Sequence, residues 1–464
     1  MPQLPTAAVI GAGSSGITAV KALREAGIEV DCYEASDRIG GNWVFGNTNG
    51  MSAAYRQLHI NTSRTRMEYA DFPMPATYPD YPRHDQIAAY FEDYVDRFGF
   101  RDRILFQTKV RSATRRDDGC WELTDEQGVT TAYDMLLVAN GHHWDPRWPE
   151  PAFPGADEFA GVQMHAHSYV DNEMLRDKDV VILGMGNSAM DIAVESSYVA
   201  RTTYLAARRG AWIVPKHMAG RPTDALAAKL NKRQLPWKLR QRSFQKLIEL
   251  NVGRPEDYGL PKPDHAMGEA HPTISGRILD RISHGTVTPK PNIARLEGDA
   301  VVFADGTRVH ADVVIYCTGY KVTFPFFAED MISAPDNHIE LFRRVWHPDH
   351  ANLAFIGLLQ PIGAVMPLAE AQGRWVARYL RGEYRLPTRA EMLEDIGEDM
   401  AAMAKRYVSS KRHTIQVDFD DYLWHLDREL ARGASRAQAA GFAPPVPHRA
   451  GTVRTRDAER AAAA

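Results

Sequence analysis

AAVIGAGSSGITAVKALREAGIEVDCYE, residues 7–34, reads as strand, glycine-rich turn, helix and strand in close succession. Ala7 to Ile10 is a short apolar run, and Ile17, Val20 and Leu23 fall at helical spacing before Gly27 ends the helix. Glu29 to Tyr33 predicts the next strand, which delivers Glu34 18 residues beyond Gly16. The glycines of GAGSSG (11–16) serve different ends, Gly11 allowing a tight turn, Gly13 letting the backbone approach a pyrophosphate, and Gly16 permitting close packing of helix on strand. An acid about 20 residues further on suits a ribose hydroxyl, so the stretch is a full dinucleotide-binding βαβ unit.

The pattern returns downstream. Asp179 to Leu183 is apolar, GMGNSA fills 184–189, a helical stretch is predicted from Met190, and Thr202 to Ala207 is β-branched and apolar. Gly184, Gly186, Asn187, Ser188 and Ala189 form the second nucleotide turn, with alanine at the third glycine position. The ribose position now carries Arg208, followed by Arg209. Guanidinium groups suit a 2′-phosphate, which predicts NADP rather than NAD. WELTDEQGVTTAYDMLLVANG (121–141) and VVFADGTRVHADVVIYCTG (301–319) also echo one another as hairpins leading into an apolar strand. Asp134 and Asp312 are 178 residues apart, Gly11 and Gly184 are 173 apart, so two units of similar size follow one another as a weak duplication.

At 464 residues the chain has room for two or three domains of roughly 150 residues. Fifty-five Lys and Arg against 59 acids give a formal charge of −4, without the positive field that nucleic acid requires, so no nucleic-acid partner is expected. Cys32, Cys120 and Cys317 are distant and odd in number, which excludes a disulfide framework, a CxxC pair and a cysteine zinc site. No metal and a reducing, cytoplasmic setting are expected. The N-terminus shows no signal-peptide pattern. Leu353 to Ala369 is broken by Gln360, Pro361 and Pro367, so no membrane span is expected. In LNKRQLPWKLRQRSFQKLIELNV (230–252), broken at Pro236, Lys232, Arg233, Lys238, Arg240 and Arg242 read as the solvated face of a helical insertion, with Trp237 and Phe244 as packing residues. After Gln438 a mixture of Pro, Arg and Ala without periodicity predicts a loosely ordered end.

GGNW (40–43), HINTSRTRMEYADFPMP (59–75), FAGVQMHAHSY (159–169), CTGY (317–320) and GLLQPIGAVMPLAEAQGRW (357–375) complete the picture. The third fits FxGxxxHxxxY, with Phe159, Gly161, His165 and Tyr169 at the marked positions. Over residues 5 to 380 the chain resembles the flavin-containing monooxygenases, class B flavoproteins. The resemblance implies an α/β protein of two Rossmann-like domains: a larger FAD domain (1–155 and 318–440) and a smaller NADP domain (156–317) with a helical insertion at about 221–283, before a tail at 441–464. It implies FAD and NADPH as cofactors, and transfer of one oxygen atom from O2, through a C4a-hydroperoxyflavin, to nitrogen or sulfur of a small amine or thioether. The FAD contacts implied are Gly11, Gly13, Ser14, Ser15, Gly16, Glu34, Gly41, Asn42, Trp43, His59, Asn61, Thr62, Val110 and Gln360. The NADPH contacts are those of the second turn with Arg208 and Arg209. Asn61 is the implied catalytic group, its amide able both to donate and to accept beside the flavin.

The residues alone support the same electron path, since an acid-bearing and an arginine-bearing nucleotide fold give a flavin acceptor and a hydride donor, and no cysteine pair stands ready to take the electrons. Oxygen is then the acceptor. Tyr169 replaces the Trp typical of Baeyer-Villiger enzymes, which places ketone oxygenation second; an NADPH oxidase releasing peroxide is the third reading. His165 and Tyr169 are open between hinge and packing roles. The hydrophobic C-terminal anchor of animal members is missing, so no membrane partner is carried over, and a homodimer is the default expectation for a soluble enzyme of this kind.

Overall fold

The computed structural model describes residues 3–230, 237–407, 414–450 and Arg454. Strand Ala7–Ile10 is completely apolar and pairs in parallel with Val30–Tyr33 on one side and Met135–Val138 on the other. Such uniformly buried runs fit a parallel sheet covered on both faces. The six-stranded order is Trp346–His347, His350–Phe355, Met135–Val138, Ala7–Ile10, Val30–Tyr33, Ile104–Leu105. Residues beyond 340 therefore complete the sheet that the N-terminus begins. Helix Ser14–Glu25 lies against Met366–Leu380, and a Cβ on Gly373 would come within 3.1 Å of the Ala19 Cα, so the two helices touch backbone to backbone.

A second sheet of five parallel strands runs Thr288–Pro291, Thr202–Ala207, Asp179–Leu183, Val313–Tyr316, Val162–His165. The duplication seen in the sequence is also a duplication of contacts. Ala7 pairs with Met135 where Val180 pairs with Val313. The N–H just before each strand pair donates to a matching carboxylate, Thr6 to Asp134 at 2.8 Å and Asp179 to Asp312 at 2.7 Å. Both hairpins form, Trp121–Asp125 with Thr130–Tyr133 and Ala300–Phe303 with Arg308–His310. The fold is thus α/β with two dinucleotide-binding domains.

Three local expectations are corrected. The helix after the second turn begins at Asn187 rather than Met190, because Gly186 is already extended as its N-cap. The insertion is not wholly helical: helices Thr223–Leu230 and Trp237–Val252 are followed by Thr273–Ile274, which pairs with Ile213–Val214. Phe244 packs with Trp212, Met218, Ile248 and Met267, while the Trp237 ring lies 4.0 Å from the Arg406 guanidinium. Lys232, Arg233 and Pro236 lie outside the described residues. Third, residues 441–450 of the expected loose tail are held in place, while 451–453 and 455–464 lie outside the described residues. Helix Phe419–Ala439 leads to a segment in which Val446 and Ala450 are buried. The Arg449 and Ala450 N–H groups donate to Asp134 Oδ1 at 2.7 and 2.8 Å, and His448 meets Asp134 Oδ2 at 2.9 Å. Arg454 reaches Asp125 and Asp31. The carboxylates that hold it are distant in sequence, so composition could not show the anchorage. Among the described residues no helix is long and apolar enough to cross a membrane.

Asp134 thus gathers donors from both chain ends, and these backbone hydrogen bonds hold its carboxyl below its ordinary 3.8 against the opposing effect of burial. Asp134→Ala is expected to cost about 3 kcal/mol in urea unfolding at neutral pH, since several buried donors lose their acceptor. The lowered folded pKa means that the wild-type advantage is complete above the ordinary carboxyl value and fades as pH falls through the folded one, so the two unfolding midpoints converge in acid.

Candidate functional site

Both glycine turns open on a single cavity of about 2070 Å³ at the carboxyl ends of the two sheets. Crevices there are where α/β sheets take nucleotides. In the first turn Gly11 has a φ of +102°, and a Cβ on it would lie 2.7 Å from the Ala139 carbonyl oxygen. Gly13 faces Gly41 so closely that a Cβ on Gly41 would stand 3.2 Å from the Gly13 Cα. Gly16 is the one predicted contact that does not line the cavity; a Cβ there would lie 1.8 Å from the Gly11 oxygen, which is its helix-on-strand packing role. Ser14, Ser15, Gly41, Asn42, Trp43, His59, Asn61, Thr62, Val110 and Gln360 all line the space.

Glu34 is held at the end of its strand by two backbone donors, Ala12 N–H to Oε2 at 2.7 Å and Ser36 N–H to Oε1 at 2.8 Å. Its carboxylate therefore has a fixed direction toward the cavity wall. Asn42 is turned into its own loop, accepting from Ala53 N–H at 2.7 Å, which makes it a shaper of the wall. Thr62 donates to the Gly363 carbonyl at 3.3 Å. Asn61 Oδ1 is buried with no hydrogen-bond partner in the protein, as are Ser63 Oγ and, along the same cavity, His165 Nε2. Buried amide oxygens seldom go unpaired, and Asn61 as a residue lines the cavity.

The second turn repeats the geometry. Gly184 has a φ of +145°, and a Cβ would lie 2.7 Å from the Cys317 oxygen and 3.4 Å from the Ala189 Cβ, so alanine fits where the first turn has its third glycine. Asn187 Oδ1 accepts from Ile274 N–H at 2.8 Å, tying the turn to the insertion. Gly186, Ser188, Arg208 and Arg209 also line the cavity. Both arginines are exposed, and Arg209 is paired with Asp264 at 2.6 Å.

Residues with no motif to mark them join the two turns. Tyr55 donates to Asp191 Oδ2 at 2.6 Å across the units. Burial pushes the Asp191 carboxyl up, opposed by that hydrogen bond. The ammonium of Lys216 donates to the Ile60 carbonyl at 3.1 Å, and burial pushes its pKa down, opposed by Asp191. Tyr169 lies outside the cavity, 1% exposed, and donates to Glu195, whose pKa burial raises to about 7. His165 does line the cavity, accepts from His167 N–H at 3.0 Å, and is held neutral by burial, which lowers its pKa to about 4. Only the folded chain brings Tyr55 and Lys216 to the site.

A family model described as flavin-binding monooxygenase-like matches residues 5–435. Flavin-containing monooxygenase 5 of Rattus norvegicus is 38% identical over 431 residues, covering 89% of this chain and 80% of the relative. Dimethylaniline monooxygenase [N-oxide-forming] 2 of Oryctolagus cuniculus is 32% identical over 443 residues, covering 91% and 82%. Among solved structures, S-allyl-L-cysteine S-oxygenase from Allium sativum superimposes with a TM-score of 0.68 at 25% identity, covering 93% of this chain and 88% of that one.

The position of Arg208 generates a test of cofactor choice. Arg208→Ala is expected to raise KM for NADPH by about tenfold or more, the worth of a charge-assisted hydrogen bond, while KM for NADH moves within about twofold. Initial-rate kinetics with both cofactors check it, and equal losses would remove the 2′-phosphate assignment.

Proposed function

Because the chain belongs to the flavin-binding monooxygenase-like family, we propose that it oxygenates the nitrogen or sulfur lone pair of small soft nucleophiles. It is an FAD- and NADPH-dependent oxidoreductase that uses O2. The observation that carries the finer reading is the single cavity shared by both nucleotide turns, with Asn61 among the residues that line it.

The residues present fit both cofactors. Gly11, Gly13, Ser14 and Ser15 would place backbone N–H groups at the helix start beside the FAD pyrophosphate, and Glu34 would take its ribose. The Gly184–Ala189 turn and Arg208 would hold NADPH in the corresponding way. FAD supplies, when bound, hydride acceptance from NADPH and the activation of O2. In the balanced reaction NADPH and a proton deliver two electrons, one oxygen atom of O2 bonds to the substrate lone pair, and the other leaves as water.

Within this reading the chain's own part is to hold a proton and exclude bulk water. Asn61 can accept through Oδ1 and donate through Nδ2, which suits a group that keeps a proton in place without itself ionising. A substrate lone pair needs no deprotonation, so a non-ionising carboxamide at this position is consistent with amine or thioether substrates. Burial keeps His165 neutral, with its pKa lowered to about 4, so it adds no charge at the junction. Support also comes from two relatives whose names specify N-oxide formation and S-oxygenation.

Asn61→Ala is expected to retain NADPH-dependent flavin reduction within about twofold and to lose oxygenated product by roughly a hundredfold, the usual scale for removing one preorganised hydrogen-bond group, with peroxide in its place. Rapid-mixing reduction kinetics and product analysis on a tertiary amine, a thioether and a cyclic ketone check this. Ester from the ketone as the main wild-type product would favour the Baeyer-Villiger reading, and peroxide alone on every substrate would favour an oxidase.

A further inference from the structure

Asn61 and Thr62 are spanned by two hydrogen bonds from residues 216 and 224, where the chain after the second nucleotide turn enters the insertion. On one side Lys216 Nζ donates to the Ile60 carbonyl at 3.1 Å. On the other, Ser63 N–H donates to Asp224 Oδ2 at 2.7 Å. Ser63 is 1% exposed, so its N–H has little access to water as a substitute acceptor. Asp224 stands in the first turn of Thr223–Leu230, where its other oxygen accepts from Ala225 N–H at 2.8 Å.

The segment that carries the two gripping residues is itself closed. Thr223 N–H donates to the Lys216 carbonyl at 2.9 Å and the Thr223 hydroxyl donates to the Pro215 carbonyl at 2.6 Å. The Tyr81 hydroxyl also donates to the Lys216 carbonyl, and His217 Nε2 meets Asp80 at 2.9 Å. Asp224 and Lys216 share the cavity wall with Asn61. Two backbone positions one step outside the Asn61–Thr62 pair are thus fixed from a separate part of the chain, which fixes the backbone from which the Asn61 side chain projects.

We propose that Asp224 is a positioning residue for oxygen transfer: by accepting the Ser63 N–H, opposite the Lys216 contact on Ile60, it sets the place of the Asn61 side chain once the insertion is docked. The inference rests on the reading of Asn61 given above. Its distinguishing consequence is a split between half-reactions, since flavin reduction does not use the Asn61 carboxamide and coupling of oxygen to substrate does.

The experiment uses the full-length, FAD-loaded enzyme with a thioether as probe substrate, and reads the rate of anaerobic flavin reduction by NADPH and the ratio of sulfoxide to peroxide per NADPH. Asp224→Ala is expected to keep reduction within about twofold and to lower the sulfoxide fraction by about tenfold, in line with a hydrogen bond to a charged acceptor. Asp224→Asn keeps an acceptor oxygen and is expected to rescue most of the coupling. Ser63→Pro removes the donor from the other side at a φ of −63° that proline adopts, and is expected to match Asp224→Ala. The double variant with Asn61→Ala should be no more uncoupled than Asn61→Ala alone. Full coupling in Asp224→Ala or Ser63→Pro alongside lost coupling in Asn61→Ala would overturn the proposal, as would equal slowing of both half-reactions, the mark of a plain staple. Full coupling in Asn61→Ala would instead overturn the reading of Asn61 itself.

Discussion

Two carbonyl oxygens, those of Ala139 and Cys317, each lie 2.7 Å from the point that a Cβ on Gly11 or Gly184 would occupy. Both glycines also have a positive φ, so the strand-to-helix turns admit no side chain on either count. That closeness lets each central strand register against its neighbour and still release the chain at once into a helix. The helix starts and the strand ends then bound the same space, and the cavity follows from the two turns facing it. Replacing either glycine would push a central strand away from its partner and open the wall where a cofactor phosphate would rest.

Between the turns the molecule spends polar groups in an apolar setting. Tyr55 on Asp191 and Tyr169 on Glu195 pair hydroxyl donors with carboxyls that burial pushes up. Such pairs are costly to break because either partner would be left unsatisfied. They join the Tyr55 loop and the Tyr169 connection to helix Asn187–Ser196, which starts at the second nucleotide turn. Of the two pairs, Tyr55 on Asp191 crosses between the units, and Tyr169 on Glu195 lies within the second.

The turns were legible in the sequence because their constraint is local: glycine spacing, a short apolar strand and an acid or arginine at a fixed distance follow from covalent geometry. The paired Asp134 and Asp312 were visible as a repeat, though their shared work of accepting the N–H before each central strand emerged only in three dimensions. Long-range polar contacts were not legible. Nothing around His448 marks it as a partner of Asp134, and nothing around Lys216 marks it as a partner of Ile60. The anchorage of residues 448–450 and the short strand inside the insertion were missed for that reason, whereas the early helix start at Asn187 follows from the local conformation of Gly186. Asn61 was singled out through resemblance, and its Oδ1 is one of several buried polar atoms without a partner in the protein.

The central claim is that electrons pass from one nucleotide site to the other and that oxygen then goes to a substrate within the same cavity. Turnover under isotopically labelled O2, with NADPH use, product and peroxide measured together, tests it most directly. The account predicts one labelled oxygen atom in the N-oxide or sulfoxide for each NADPH consumed, and little peroxide. Recovery of the label only in peroxide, with unlabelled or no product, would contradict it.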